Sequence, residues 1–199
     1  MFKAAFRMNS HSPYLNEYMW QFYDHIANMR GSTSCFWYIG KQWNIYSPTL
    51  KYIDMILIKS WEQALDEAYP VRRAVFILEQ GVPQEMELDE FDPGAQHALA
   101  YEDFRCVGTA RLVYLDPEDA QIGRMAVLSA FRGRGIGTAI LKSLVEQAQS
   151  QGIGRLVLHS QVVAMPFYER LGFVAQGPIY DEAGIPHRNM ILLLSKIAK

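Results

Sequence analysis

Residues 121–142 read QIGRMAVLSAFRGRGIGTAILK, and the fold is decided by how that stretch is parsed. Gln121–Leu128 has the apolar and β-compatible residues of a strand. A polar, glycine-rich turn follows. Gly135–Gln151 then carries Ile136, Ile140, Leu144 and Ala148 on one helical face, beside Leu141 and Val145, and Gly152 closes the helix. Glycines 133, 135 and 137 remove Cβ atoms where a backbone has to approach something closely. The N–H groups of residues 133–138 would open the helix without carbonyl partners, at the positive end of its dipole. Such an opening suits a pyrophosphate, and Arg132 and Arg134 add positive charge beside it. Two other phosphate motifs do not fit. No Lys-Ser/Thr follows a Walker spacing, and the glycines run G-x-G-x-G because position 138 is Thr.

Outward from this stretch, the pattern from Met55 onward is regular. Met55–Lys59 reads as a strand. Ser60 and Gln63 fit a capping box for a helix through Leu65, Val71, Val75 and Leu78, which Pro70 should kink or split. A polar, acidic loop spans Gly81 to Gly94. Gln96–Tyr101 and Cys106–Leu115 form a hairpin signal around Glu102-Asp103. Downstream, Arg155–His159 is a strand, Val162–Leu171 a short helix, and Phe173–Ala175 and Asn189–Ser195 the final strands. The result is one α/β domain over residues 55–199, a mixed sheet flanked by helices.

Residues 1–54 are different in kind. They hold 13 of the 25 aromatic residues, three of the four tryptophans and only three acids. Leu15, Met19, Phe22, Ile26 and Met29 recur at helical spacing after Ser12-Pro13, which predicts a helix over about 13–30. This N-terminal extension is open to three readings: an accessory helix that docks on the domain or on a second copy in a homodimer, a partner-binding arm, or a poorly ordered leader upstream of Met55.

The 199 residues are 50% hydrophobic and 20% charged with a formal net charge of −2, as expected for a globular chain with a real core. The near-neutral balance speaks against nucleic acid as a partner. No apolar run approaches the about 20 residues of a membrane span, and no secretory signal opens the chain. Two cysteines, Cys35 and Cys106, make no framework of bridges, so a reducing, cytoplasmic setting is the expectation. No His/Cys cluster has metal-ligand spacing, and Cys106 alternates with apolar residues as a core side chain.

Arg132-Gly133-Arg134-Gly135-Ile136-Gly137 resembles the Q/R-x-x-G-x-G/A signature of the Gcn5-related N-acetyltransferases, the GNAT superfamily. Gln161-Val162-Val163-Ala164-Met165-Pro166-Phe167-Tyr168, followed by Gly172-Phe173, resembles that family's N-x-x-A-x-x-F-Y-x-x-x-G-F block, with Gln161 where Asn is common. Arg72-Arg73-Ala74-Val75-Phe76, Glu79-Gln80, the acidic Glu87–Asp92 run and Gly184-Ile185-Pro186-His187 are similar to the ElaA-like branch. The resemblance covers nearly all of 55–199 and implies the GNAT acyl-CoA N-acyltransferase fold, a mostly antiparallel mixed sheet. It implies acetyl-CoA as co-substrate, with the pantetheine arm on the main chain of Met125, Ala126 and Val127. The pyrophosphate would then lie on Arg132–Thr138 (Arg132, Gly133, Arg134, Gly135, Ile136, Gly137 and Thr138), with Gln161 and Phe167 completing the cofactor site.

Tyr168 matches the family's proton donor near the sulfur. Acyl transfer to an amine also needs a base, and His159, His187 and Glu79 are the candidates. His159 ends a strand, His187 lies in the loop before the last strand, and Glu79 follows an apolar helix end where burial would raise its pKa. Alternatively, Glu79 pairs with Arg72 or Arg73. The run Glu85, Glu87, Asp89, Glu90 and Asp92 would attract a cationic small-molecule amine or peptide terminus. The expected activity is acetyl transfer to a primary amine by direct attack in a ternary complex. Two other readings compete. Acyl-homoserine-lactone synthases carry a similar R-x-x-V-F motif and an E-x-D-x-F-D run, and a non-catalytic acyl-CoA-binding module would need only the cradle.

Overall fold

The structure, a computed structural model, describes residues 55–195. The extension over 1–54, with its expected helix, lies outside the described residues. Seven strands make one sheet: β1 (Met55–Ser60), β2 (Gln96–Glu102), β3 (Arg105–Tyr114), β4 (Asp119–Val127), β5 (Arg155–Gln161), β6 (Val174–Glu182) and β7 (Ile185–Leu193). They lie in the order β1-β2-β3-β4-β5-β7-β6. β4 and β5 form the parallel pair, and every other neighbouring pair is antiparallel. The sheet is therefore mixed and mostly antiparallel.

Three α-helices flank it: α1 (Trp61–Arg72), α2 (Ile136–Ser150) and the short α3 (Met165–Glu169). The expected stripe on α2 is the buried one, with Ile136, Ile140, Leu141, Leu144 and Ala148 all inside. It packs on Leu112, Ile122, Leu156, Leu158 and Met190 of the sheet, together with Phe173. Each fully buried aliphatic side chain of this size contributes roughly 1.5–3 kcal/mol. The opposite face carries α1, whose Ala64 and Ala68 sit on Leu99 and Tyr101.

The hairpin between β2 and β3 turns at Asp103-Phe104, where both residues have positive φ, 50° and 60°. At the start of α1, the Ser60 N–H donates to Gln63 Oε1 at 3.4 Å, one half of the expected capping box.

Several expectations need correction. The chain stays helical through Pro70 and then widens into a π-helical turn, Arg73–Glu79. A proline removes one N–H from the ladder, and here a change of pitch takes the place of a kink. The buried face of this segment runs through Ala64, Ala68, Val71 and Val75, while Leu65 and Leu78 are exposed. His159 lies within β5 and His187 within β7, because the two strands pair all the way from Arg155↔Leu193 to Gln161↔His187. The stretch read as a loop before the last strand is a hairpin turning at Ala183-Gly184, with φ of 53° and 77°. The short helix expected over 162–171 begins as a 3-10 turn, Val162–Ala164, and ends at Glu169.

Candidate active site

The ladder between β4 and β5 joins Asp119–Ile122 to Arg155–Leu158 and then stops. Both strands continue, β4 to Val127 and β5 to Gln161, each paired only on its far side. A bulge drives them apart. Arg124 has φ 50°, and the β3–β4 register shifts between Thr109 and Arg111. β5 consequently offers no ladder partner to Gly123–Val127, and a slot opens at the carboxyl ends of two parallel strands. Met125, Ala126 and Val127 form one bank of it.

The glycine turn sits at the end of that bank. Gly133 and Gly135 have φ of 74° and 84°, and a Cβ at either would meet nothing within 4 Å. Their role is conformational: a left-handed backbone in open space, which an L side chain would strain. Close approach, expected at all three glycines, occurs at Gly137 alone. A Cβ there would lie 3.3 Å from Met125 Cε and 3.5 Å from Phe167 Cζ, so this position locks α2, β4 and α3 together. The first backbone bond within α2 runs from Ala139 N–H to Gly135 O at 3.0 Å. The N–H groups of Ile136, Gly137 and Thr138 thus have no carbonyl one turn back. Arg132, Gly133, Arg134 and Gly135 are all exposed, and the notch is open.

Neither arginine of the turn stands alone. Arg132 donates from Nε to Val127 O at 2.8 Å and from both Nη atoms to Glu79 at 2.6 and 2.7 Å. Arg134 reaches Glu102 Oε1 at 2.9 Å and Ala130 O at 3.0 Å. Glu79 is therefore exposed and bonded to Arg132, not to Arg72 or Arg73. The hydrogen bond from Arg132 holds its carboxyl below the usual range, against a smaller opposing push from burial. That is the reverse of the raised pKa a carboxylate base would need.

Tyr168, on α3, places its hydroxyl 3.5 Å from Met125 Sδ. Burial pushes this phenol up to about 12, so it keeps its proton at physiological pH. Phe167 packs edge-on against it, ring centroids 4.9 Å apart. Gln161 ends β5 on the other bank and donates from Nε2 to Gln80 Oε1 at 2.8 Å. Two residues earlier, on the same strand face, His159 is exposed with Nδ1 3.7 Å from Glu182. His187 is buried, its Nδ1 lying 2.8 Å from Ile185 O and its ring stacked at 6.2 Å on Tyr180.

The acidic run is not an open field for a cation. Glu87 and Asp92 are buried against Arg72, which is itself fully buried and lies over the Trp61 ring at 5.2 Å. Asp92 also meets Arg111 at 2.8 Å, and Asp89 joins Arg111 at 2.5 Å to Arg124 at 2.8 Å. Glu85 and Glu90 remain exposed. This network, which includes the bulge residue Arg124, escaped sequence reading; the R-x-x-V-F and E-x-D-x-F-D strings marked Arg72, Glu87, Asp89 and Asp92 without showing that they pair, and left out Arg111 and Arg124. Cys106 is half-buried and free, and burial raises its thiol to about 12, consistent with a packing role. Among the described residues no group of His, Cys, Asp and Glu is placed to hold a metal, and no helix is long and apolar enough to cross a membrane.

A parallel pair that splays at its carboxyl ends, with helix-opening amides at one bank and a protonated phenol beside it, makes a site suited to an extended chain bearing a phosphate group. The model of the acetyltransferase (GNAT) domain matches residues 59–194. The uncharacterized N-acetyltransferase YjcF of Bacillus subtilis is 35% identical over 131 residues, covering 65% of this chain and 93% of that protein. ElaA of Escherichia coli is 32% identical over 124 residues, covering 60% of this chain and 81% of that protein. Its crystal structure superposes with a TM-score of 0.61 at 27% identity, covering 69% of this chain and 99% of ElaA. An acyl-CoA N-acyltransferase from Pseudomonas aeruginosa gives 0.62 at 28% identity, covering 69% and 97%. The chain belongs to the GNAT superfamily, in its ElaA-like branch, and is an acyl-CoA-dependent N-acetyltransferase.

Proposed function

We propose that the protein moves an acetyl group from acetyl-CoA to the primary amine of a small molecule or peptide, by direct attack in a ternary complex. The observation that carries this reading is the slot itself. Main chain at Met125–Val127 lacks a strand on one side, the open amides of Ile136–Thr138 lie at its end, and the Tyr168 hydroxyl lies against Met125. An extended pantetheine arm fits the missing strand, and a pyrophosphate fits the amides. As the amine nitrogen attacks, the new N–C bond forms, the C–S bond breaks, and negative charge collects first on the carbonyl oxygen and then on sulfur. A main-chain N–H near Val127 serves the oxygen. Tyr168, held protonated, gives its proton to the thiolate. The nitrogen's proton goes to His159, which faces solvent on the strand face shared with Gln161, its Nδ1 3.7 Å from Glu182.

The acceptor enters from that exposed face. With Glu87 and Asp92 committed to Arg72, selection for a cation does not rest on those two carboxylates. The test is acceptor-dependent thiol release from acetyl-CoA across polyamines, amino acids, aminoglycosides and basic peptides. Tyr168→Phe should keep acetyl-CoA affinity and lose about 100-fold or more in kcat. An unchanged kcat would remove Tyr168 from the chemistry, and no thiol release with any acceptor would count against the transfer reading.

A further inference from the structure

Glu79 and Gln80 are adjacent at the end of the π-helical turn, yet their side chains reach opposite banks of the slot. Glu79 takes both Nη atoms of Arg132, at 2.6 and 2.7 Å, and Arg132 in turn donates from Nε to the carbonyl of Val127, the last residue of β4, at 2.8 Å. Gln80 accepts from Gln161, the last residue of β5, at 2.8 Å. One path, hydrogen-bonded except for the peptide link between Glu79 and Gln80, therefore runs Val127, Arg132, Glu79, Gln80, Gln161. It crosses from one strand end to the other at the level where the ladder has already stopped, beyond Ile122↔Leu158.

Three features set this path apart from ordinary surface pairing. The bonds to Arg132 are bidentate and geometrically specific, and its third donor direction is used as well. Glu79 is the last residue of a π turn and Gln80 caps it, and this rare backbone form places consecutive side chains where α-helical pitch would not. On the sheet's other face a second link already crosses the slot, from Tyr168 Oη to Met125 Sδ at 3.5 Å. The slot is thus bridged from both sides, and the upper bridge is exposed at Arg132 and Glu79, each 42% accessible, so it can part and reform at little cost.

We propose that Glu79 and Gln80 are positioning residues that strap the two strand ends together over the cofactor arm and set the separation at which β4 and β5 grip an extended acyl thioester. This inference rests on the acyl-CoA reading given above. It gives Glu79 a role unlike that of a base, and it gives Gln80 a role that the residue pattern alone did not assign.

The test compares acetyl-CoA titrations and steady-state kinetics of the full chain with Gln80→Met, Gln161→Met, the double variant, and Gln80→Glu. Gln80→Met keeps the side-chain shape and loses the acceptor, while Gln80→Glu keeps an acceptor for Gln161. Losing one link should raise both Kd and KM for acetyl-CoA about five- to tenfold with kcat within about twofold. The double variant should be no worse than the weaker single, and Gln80→Glu should bind near wild type. Glu79→Gln gives an independent arm with the same expected split, should either methionine variant fold poorly. Wild-type affinity in Gln80→Met, or losses that simply add in the double variant, would overturn the strap. A wild-type protein that does not bind acetyl-CoA would instead overturn the reading beneath it, and the same titration shows which has failed.

Discussion

Arginine meets carboxylate in two regions of this molecule, and the two regions use the pairing differently. Under α1, Arg72, Arg111 and Arg124 interlock with Glu87, Asp89 and Asp92, with Arg72, Glu87 and Asp92 essentially inaccessible. Around the slot, Arg132–Glu79 and Arg134–Glu102 lie in solvent or at its edge. Buried charges that lose a partner have no water to replace it, so the first set locks the acidic loop to the end of α1, to β3 and to the β4 bulge. Exposed pairs can exchange one anion for another, so Arg134 is suited to a phosphate that arrives and leaves, while Arg132 stays with Glu79 in the strap.

The largest effect should come from breaking the buried set. Arg72→Met leaves buried Glu87 without a guanidinium and Asp92 with Arg111 alone, and should cost roughly 3–5 kcal/mol, read as a large drop in urea midpoint. A loss below about 1 kcal/mol would place this network in the same class as the surface pairs.

Acid should weaken the buried set next. Burial would raise the Asp92 carboxyl, but bonds and charge from Arg72 and Arg111 outweigh it and hold the group at about 2. An unfolded aspartate takes up its proton near 3.9, so the stabilisation is complete above about pH 5 and drains as pH falls towards 2. The Asp92 share is roughly 2 kcal/mol. Urea melts between pH 5 and pH 2.5 should show the decline, and Asp92→Asn should flatten it; equal slopes in both proteins would contradict this.

The smallest change in stability belongs to the exposed set. Arg134→Gln should cost under about 1 kcal/mol. It should nevertheless weaken acetyl-CoA binding severalfold and reduce its dependence on salt, and an unaltered salt slope would mean that Arg134 does not meet a phosphate.

The same contrast explains what could be read in advance. α2 and the glycine turn were legible because Ile136, Ile140, Leu144 and Ala148 repeat at helical pitch and glycine marks both ends. Most of β6, beyond the strand read at Phe173–Ala175, and the start of β7 were not. β6 is an edge strand with no buried residue, and such a strand needs no apolar alternation. The buried network was hidden for another reason: Arg72 meets Asp92 across 20 positions and Arg124 meets Asp89 across 35, and no local period records such pairs. The candidate site was nameable in the sequence only as a set of residue types at motif spacing. That Glu79 answers Arg132, and Gln80 answers Gln161, depends on the pitch of a π turn, which residue types do not announce.

The account depends on the open amides at the start of α2 receiving a diphosphate. Calorimetric titration of acetyl-CoA into the wild type and into Gly135→Glu tests this most directly, with circular dichroism confirming that both are folded. A saturable one-site isotherm for the wild type that vanishes in the variant is the predicted result. Equal binding by the two proteins would contradict it.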